Sequence, residues 1–191
     1  DVPDHLLEIL ARFARGLRGS TSVDQRSGVS ARLPIAASET IAAAALHRAT
    51  TQGEHQPVAR VVDLDSAVDV LGGKIEFETG EEGRERDIIT HLLRVATAET
   101  ARERLRGIDL SPLVSALERG ASVTTGEQVS ARDVLTGLPV LGESELYDAI
   151  IDRLGATTDG ERAGAIELAL EGLYLARKIS KEHVDGQTVY G

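Results

Sequence analysis

Apolar residues recur at helical spacing almost from end to end of this chain, and that periodicity limits the fold more than any other feature. Leu6, Leu10, Phe13 and Leu17 are spaced four, three and four, which places them on one stripe of a first helix. Pro3 suits its first turn, and Gly16 and Gly19 bracket its end. A polar loop follows, then a second helix over about 34–50 with Ser30 as its expected N-cap. Pro34 biases Leu33 away from the α conformation, so the first turn starts at Pro34 or is distorted. The small side chains from Ile41 to Leu46 let a neighbouring helix approach closely. A short helix over 63–71 ends at Gly72-Gly73, and residues 74–77 read as a brief extended piece. Ile88, Ile89, Leu92, Leu93, Ala96 and Leu105 mark a long helix over about 82–105, stopped by Gly107.

Ser111-Pro112 opens the next helix with a cap and a first-turn proline, and Gly120 closes it. Residues 123–129 read as a tight turn or small hairpin, and Ser130 caps a short helix to Thr136. Leu146, Ile150 and Leu154 define another helix, with Gly155 just past its end. The last helix is expected over 160–182. Leu168 and Leu175 lie off its main stripe, which predicts burial on two sides. The tail from Val184 is expected to be mobile. Helices joined by short loops predict an all-α helical bundle with at most one small β-hairpin. The polar stretch 51–60 divides an expected N-terminal unit, residues 1–55, from a helical C-terminal unit, residues 56–191.

Composition narrows the function. The chain has 31 acidic and 21 basic residues, a net charge of −10. Residues 1–60 are near neutral, with seven Arg against six acids, so the acidity belongs to the remainder. Such a surface repels phosphate backbones, and no nucleic-acid partner is expected. Two Phe, three Tyr and no Trp leave little for base-stacking platforms. There is no cysteine, so disulfides and thiolate metal sites are excluded. No apolar run approaches the ~20 residues that span a bilayer, and the acidic start lacks the basic region of a secretory signal. The expectation is a cytoplasmic chain with no membrane partner. It does not open with Met, as expected of a fragment or a processed product.

Catalytic motifs are absent or weak. The nearest approach to a phosphate-cradling loop is Gly72-Gly73-Lys74, but Ile75 stands where a hydroxyl belongs and Val68 where the first glycine belongs. No apolar strand ends in an Asp-Glu pair. Asp87 and His91 lie four apart on one helix face and read as an exposed pair in preference to half a metal site. Glu76, Glu78, Glu81 and Glu82 form an acidic cluster. Such carboxylates can bind Mg²⁺, but before a helix they also favour its positive end, and the structural reading is preferred. No hydroxyl nucleophile has a placed base. On this chemistry the chain itself is not an enzyme, and no metal site is expected.

Several segments carry a resemblance. Val23 to Leu33 joins the Leu-rich helix to the Ala-rich one and contains Gly28-Val29-Ser30-Ala31-Arg32. This resembles the lid of an AAA+ ATPase, where Gly-x-x-x-Arg at a helix start carries the sensor-2 arginine. Gly73-Lys74-Ile75-Glu76-Phe77-Glu78, Gly80 to Glu85, Leu170 to Leu175 and Val189-Tyr190-Gly191 resemble the C-terminal region of magnesium-chelatase I subunits and their MoxR-like relatives.

The resemblance covers nearly the whole chain but not the nucleotide-binding α/β half. It implies a lid with a C-terminal helical domain. The full-length parent would be an ATPase using ATP and Mg²⁺, a magnesium chelatase or a MoxR-like relative, with no cofactor bound to this part alone. It implies Arg32 as the sensor, with Arg26 as the alternative, because arginine offers a planar fork of donors to phosphate. It implies a homo-oligomeric ring and a partner carrying a von Willebrand A-type domain. Two other readings stand beside it: a stand-alone helical interaction module, and the lid region of a sigma-54-type transcription regulator.

Overall fold

The structure is a computed structural model that describes residues 1–26, 29–137, 144–184 and 186–191. The amphipathic first segment forms α1, Asp4–Gly19, with Pro3 at its N-cap and a buried stripe running from Leu6 to Leu17. The second helix, α2, is Leu33–Gln52. Its N-cap is Arg32 and not Ser30. The Ser30 hydroxyl instead accepts the Arg32 amide at 3.2 Å, because Pro34 at the second helical position fixes where the helix can start. A 3-10 turn at Val61–Asp63 leads into α3, Leu64–Gly72, and the long helix is α4, Glu85–Arg104. Helix α5 is Ser111–Glu118, α6 is Ala131–Thr136, α7 is Glu145–Leu154 and α8 is Asp159–Leu175. Ser130 caps α6 through the Asp133 amide, and Thr158 and Glu161 form a reciprocal capping box at α8. Ser111 contributes no side-chain cap; it lies inside the first turn of α5, after Leu110.

The fold is mostly helical, but not all-α. Three short strands, β1 (Val123–Gly126), β2 (Lys181–Val184) and β3 (Gln187–Tyr190), form an antiparallel sheet in the order β1-β3-β2. Val123 faces Tyr190 across one ladder, and Lys181 faces Tyr190 across the other. The last helix therefore stops at Leu175, short of 182. The tail expected to be mobile from Val184 is the central strand of the sheet. Residues 123–126 pair with the C terminus and not with their own neighbours. Burial of Tyr190, 3% exposed, ties the tail down.

The junction expected at residues 51–60 does not divide the apolar interior. One buried cluster joins α1 and α2 to α3 and α4, from Leu6 through Ile41 and Leu71 to Ala101. A second runs from Leu105 through α5, α6 and α7 to Tyr190. Helix α8 serves both: Leu168 belongs to the first cluster, while Ile166, Ala169 and Leu170 belong to the second. Gly172 lets α8 close on α4, because a methyl group there would meet the Ala101 Cβ at 2.7 Å.

Two pairs of sequence-distant segments meet through their backbones. Val23 bridges Phe77, with the Asp24 amide donating to Glu76 O at 2.9 Å and the Glu78 amide to Ser22 O at 3.0 Å. Near the C terminus, Gly191 and Ser180 exchange backbone hydrogen bonds, and the Tyr190 hydroxyl donates to the Glu171 carboxylate of α8. Among the described residues no helix is long and apolar enough to cross a membrane.

Gly120 ends α5 with φ of 95°, a conformation that costs a β-branched residue dearly. Gly120→Val is expected to lower stability by about 1 kcal/mol or more, read as a lower urea midpoint at unchanged slope.

Candidate functional site

The two arginines proposed from sequence sit in different surroundings. Arg26 lies in the loop between α1 and α2, where Asp24 holds it. Its Nε and Nη2 each lie 3.2 Å from a carboxylate oxygen, and its amide donates to Oδ1 at 2.8 Å. Arg32 stands exposed at the N-cap of α2. Its side chain has no hydrogen bond or ion pair among the described residues, and α2 has no acid in its first turn. The Leu33 amide donates to Ser30 O at 3.0 Å and Pro34 has no N–H. That helix end therefore offers few backbone donors, and the guanidinium is its chief group for an anion. Gly28 of the Gly-x-x-x-Arg pattern lies outside the described residues, as does Ser27 before it.

The acidic cluster is engaged locally. Glu81 accepts from the Ser22 hydroxyl at 2.9 Å and pairs with Arg84 at 3.0 Å, and Glu82 accepts the Gly80 amide at 2.9 Å. Asp87 and His91 are exposed on α4. No group of three or more His, Asp and Glu side chains among the described residues is placed to hold a metal ion.

Sequence reasoning missed a buried charged network. Arg48 on α2 donates to both oxygens of Asp63, at 2.9 and 3.3 Å, to Glu54 at 3.1 Å and to Val58 O at 2.7 Å. Asp63 also accepts the Arg60 amide at 2.7 Å. The Arg60 side chain, with no exposure, crosses to the C-terminal half and donates to Val129 O at 2.6 Å. Its Nη1 faces Glu167 of α8 at 3.5 Å, an ion pair by distance that lacks a hydrogen bond. Burial pushes the Glu167 carboxyl above its ordinary range, against the pull of Arg60. Glu54 closes the circuit by accepting the Ala131 amide at the start of α6 at 2.5 Å. One signal pointed here: Arg48 continues the stripe of Ala37, Ile41 and Ala45 on a helix face that is otherwise apolar.

Beside this network lies a polar cavity of about 60 Å³, bordered by Thr97, Glu167, Glu171, Lys181 and Tyr190. It has room for a few waters and none for an organic ligand. Glu171 accepts from Lys181 at 2.7 Å and Tyr190 at 2.5 Å. Burial, then the Glu171 charge, raises the tyrosine pKa. None of these groups forms a nucleophile–base pair; they anchor the sheet.

No family model, curated protein or solved structure matches the chain.

Buried ionisable groups in two places, the network and His5 on α1, yield two expectations. Arg48→Ala strands the Asp63 carboxylate inside the protein, which should cost about 3–5 kcal/mol of stability in urea denaturation. His5 is buried, and burial followed by the Arg104 charge lowers its pKa from 6.5 to about 4. Between those values the unfolded chain binds the proton that the folded chain refuses. Stability should therefore rise with pH across that window. His5→Leu should flatten the rise, measured as urea midpoints across the same pH range.

Proposed function

We propose that this chain is the C-terminal lid and helical partner- and oligomerisation domain of a magnesium-chelatase-like or MoxR-like AAA+ ATPase. In the full-length protein it would couple ATP and Mg²⁺ chemistry to remodelling or metal insertion, within a homo-oligomeric ring and against a partner bearing a von Willebrand A-type domain. The observation that carries this reading is Arg32, a guanidinium with no described partner at the head of a 20-residue helix that has no acid in its first turn. Arg26 is the weaker candidate, because binding phosphate would first break its contacts with Asp24.

Two further features support it. The segments that carry the family resemblance are spatial neighbours. The loop around Val23 pairs with Phe77, and Leu170–Leu175 receives the closing Tyr190. Helix α2 also leaves Ile35 and Leu46 more than half exposed, on the side away from Ile41 and Ala45, which suits a covering domain. The chain's own role would be mechanical: to hold Arg32 over phosphates and to move with them.

The chain alone should show no ATP hydrolysis, since it lacks groups to hold Mg²⁺ and activate water. The decisive measurement uses the full-length parent. A charge-assisted contact to phosphate contributes about 1.5–3 kcal/mol, so Arg32→Ala should slow turnover roughly ten- to a hundredfold. Arg32→Lys should not restore it, because a point charge lacks the fork. Arg26→Ala should turn over like wild type. Melting temperatures control for folding, and wild-type turnover in Arg32→Ala would end the assignment.

A further inference from the structure

Helices α4 and α8 leave an apolar groove on the outside of their junction. It consists of two adjoining hollows of about 460 and 400 Å³ that share Val95, Ala98 and Leu175. Small residues make the depression. Ala98 and Ala101 of α4 face Gly172 and Ala176 at the end of α8, and the two helices are already in contact at Gly172. Val95 is 41% exposed, although its neighbours in the groove are apolar. Along α4 the residues His91, Val95, Ala98 and Arg102 recur at four, three and four, so the groove follows the helix axis.

The rim is basic, on a protein whose net charge is −10. Arg94, Arg102 and Arg177 border the groove, and none has a carboxylate partner among the described residues. Arg94 instead lies over the Tyr174 ring and donates to its hydroxyl at 2.9 Å. Glu99 is the one acid on the lining, and it faces Arg12 at 3.5 Å. At physiological ionic strength charges are screened beyond about 8 Å, so a docking segment would respond to these arginines more than to the distant acids.

A second observation is independent of charge. Arg177 has φ of 59°, and it is the one non-glycine among the described residues with positive φ; the eight others are all glycine. It ends α8 in a cap in which the Arg177 amide donates to Tyr174 O at 2.8 Å and the Lys178 amide to Leu173 O at 2.9 Å. Glycine is the ordinary occupant of such a cap, and a larger residue there stores backbone strain. Here that residue places a cation at one end of the groove.

We propose that the α4–α8 groove is a docking site for an acidic amphipathic helix of a partner protein. Its apolar side chains at i, i+3 and i+7 would fill the hollow, and its flanking Asp and Glu would pair with Arg94, Arg102 and Arg177. A concave channel between two helices suits a third helix better than a planar lipid surface, and the strongly acidic chain is a poor match for anionic lipid. The inference does not depend on nucleotide, so it stands or falls separately from the role of Arg32.

The test uses the 191-residue chain and a fluorescein-labelled synthetic helix with leucines at i, i+3 and i+7 and glutamates on both flanks. Anisotropy should show saturable binding that weakens with salt. A version with lysines in place of the glutamates should bind at least about tenfold more weakly. Arg102→Glu should weaken binding several-fold at unchanged melting temperature, and adding Arg94→Glu, which also gives up the Tyr174 hydrogen bond, should bring the loss to a comparable factor. Arg177→Gly should raise the melting temperature while weakening binding, a pair of changes that a purely structural residue would not give. Equal binding of the acidic and basic peptides, or indifference to the charge reversals, would overturn the proposal. So would binding of phosphatidylglycerol vesicles that the acidic peptide fails to displace. Self-association in sedimentation that Ala98→Trp abolishes would assign the groove to a second copy and overturn it equally.

Discussion

The Asp63 carboxylate takes two hydrogen bonds from the Arg48 guanidinium and one from the Arg60 amide, inside a space closed to water. Isolated there, either charge would cost several kcal/mol, so each fixes the other's position. The Arg60 side chain then reaches Val129 O, and Glu54 reaches the Ala131 amide. The start of α6 and the end of β1 are thereby registered against α2. An apolar contact tolerates sliding, whereas this set of directional contacts does not. It defines how the N-terminal four helices meet α8 and the sheet, through groups that cannot be satisfied in another arrangement.

The same logic recurs at a smaller scale around Glu171. Lys181 and Tyr190 both donate to it, and Lys181 lies 5.3 Å from the Tyr174 ring centroid and 5.4 Å from that of Tyr190. Three strands of four residues each would be marginal alone. Docked on a buried carboxylate they hold, because Tyr190 cannot leave without exposing Glu171 to a lone lysine. The close approach at Gly172 sits one residue away, so α8 carries a close helix contact and its tail anchor on the same turn.

Local signals made the helices legible, and non-local ones hid the rest. The Leu6–Leu17 stripe, the Ser130 cap and the Gly155 stop all act within a few residues, and each stands where the periodicity placed it. Strand β3 carries only Val189 and Tyr190 as apolar residues; its pairing with β1, some sixty residues earlier, lies in no window of sequence, and its local hairpin with β2 was hidden because Lys181, Glu182 and His183 give β2 no apolar alternation. The end of α8 was obscured because Ile179 extends the apolar stripe beyond Arg177, where the backbone turns left-handed. In the candidate site, Arg32 was legible by motif and Arg26 by proximity. The difference between them came from Asp24, whose side chain accepts from Arg26 two residues ahead, a local geometry that spacing does not specify. The basic rim of the α4–α8 groove was invisible because Arg94, Arg102 and Arg177 belong to two helices far apart in sequence.

The eighteen arginines of this chain therefore divide by what their surroundings permit. Arg48 and Arg60 are committed; moving either would leave a buried carboxylate or carbonyl unpaired. Arg12 bridges Glu8 and Glu103 across α1 and α4 and acts as a clamp between helices. Among the described residues Arg32, Arg102 and Arg177 have no such commitment, although acids outnumber bases in the chain by ten. On a surface with that excess, an arginine that finds no carboxylate is set apart by geometry: α2 lacks an acid in its first turn, and the groove lining spends its one glutamate on Arg12. Positive charge without a described partner therefore stands at two separate places on the surface. The proposed lid role would draw on both places, Arg32 toward phosphate and the Arg102 and Arg177 rim toward a partner helix.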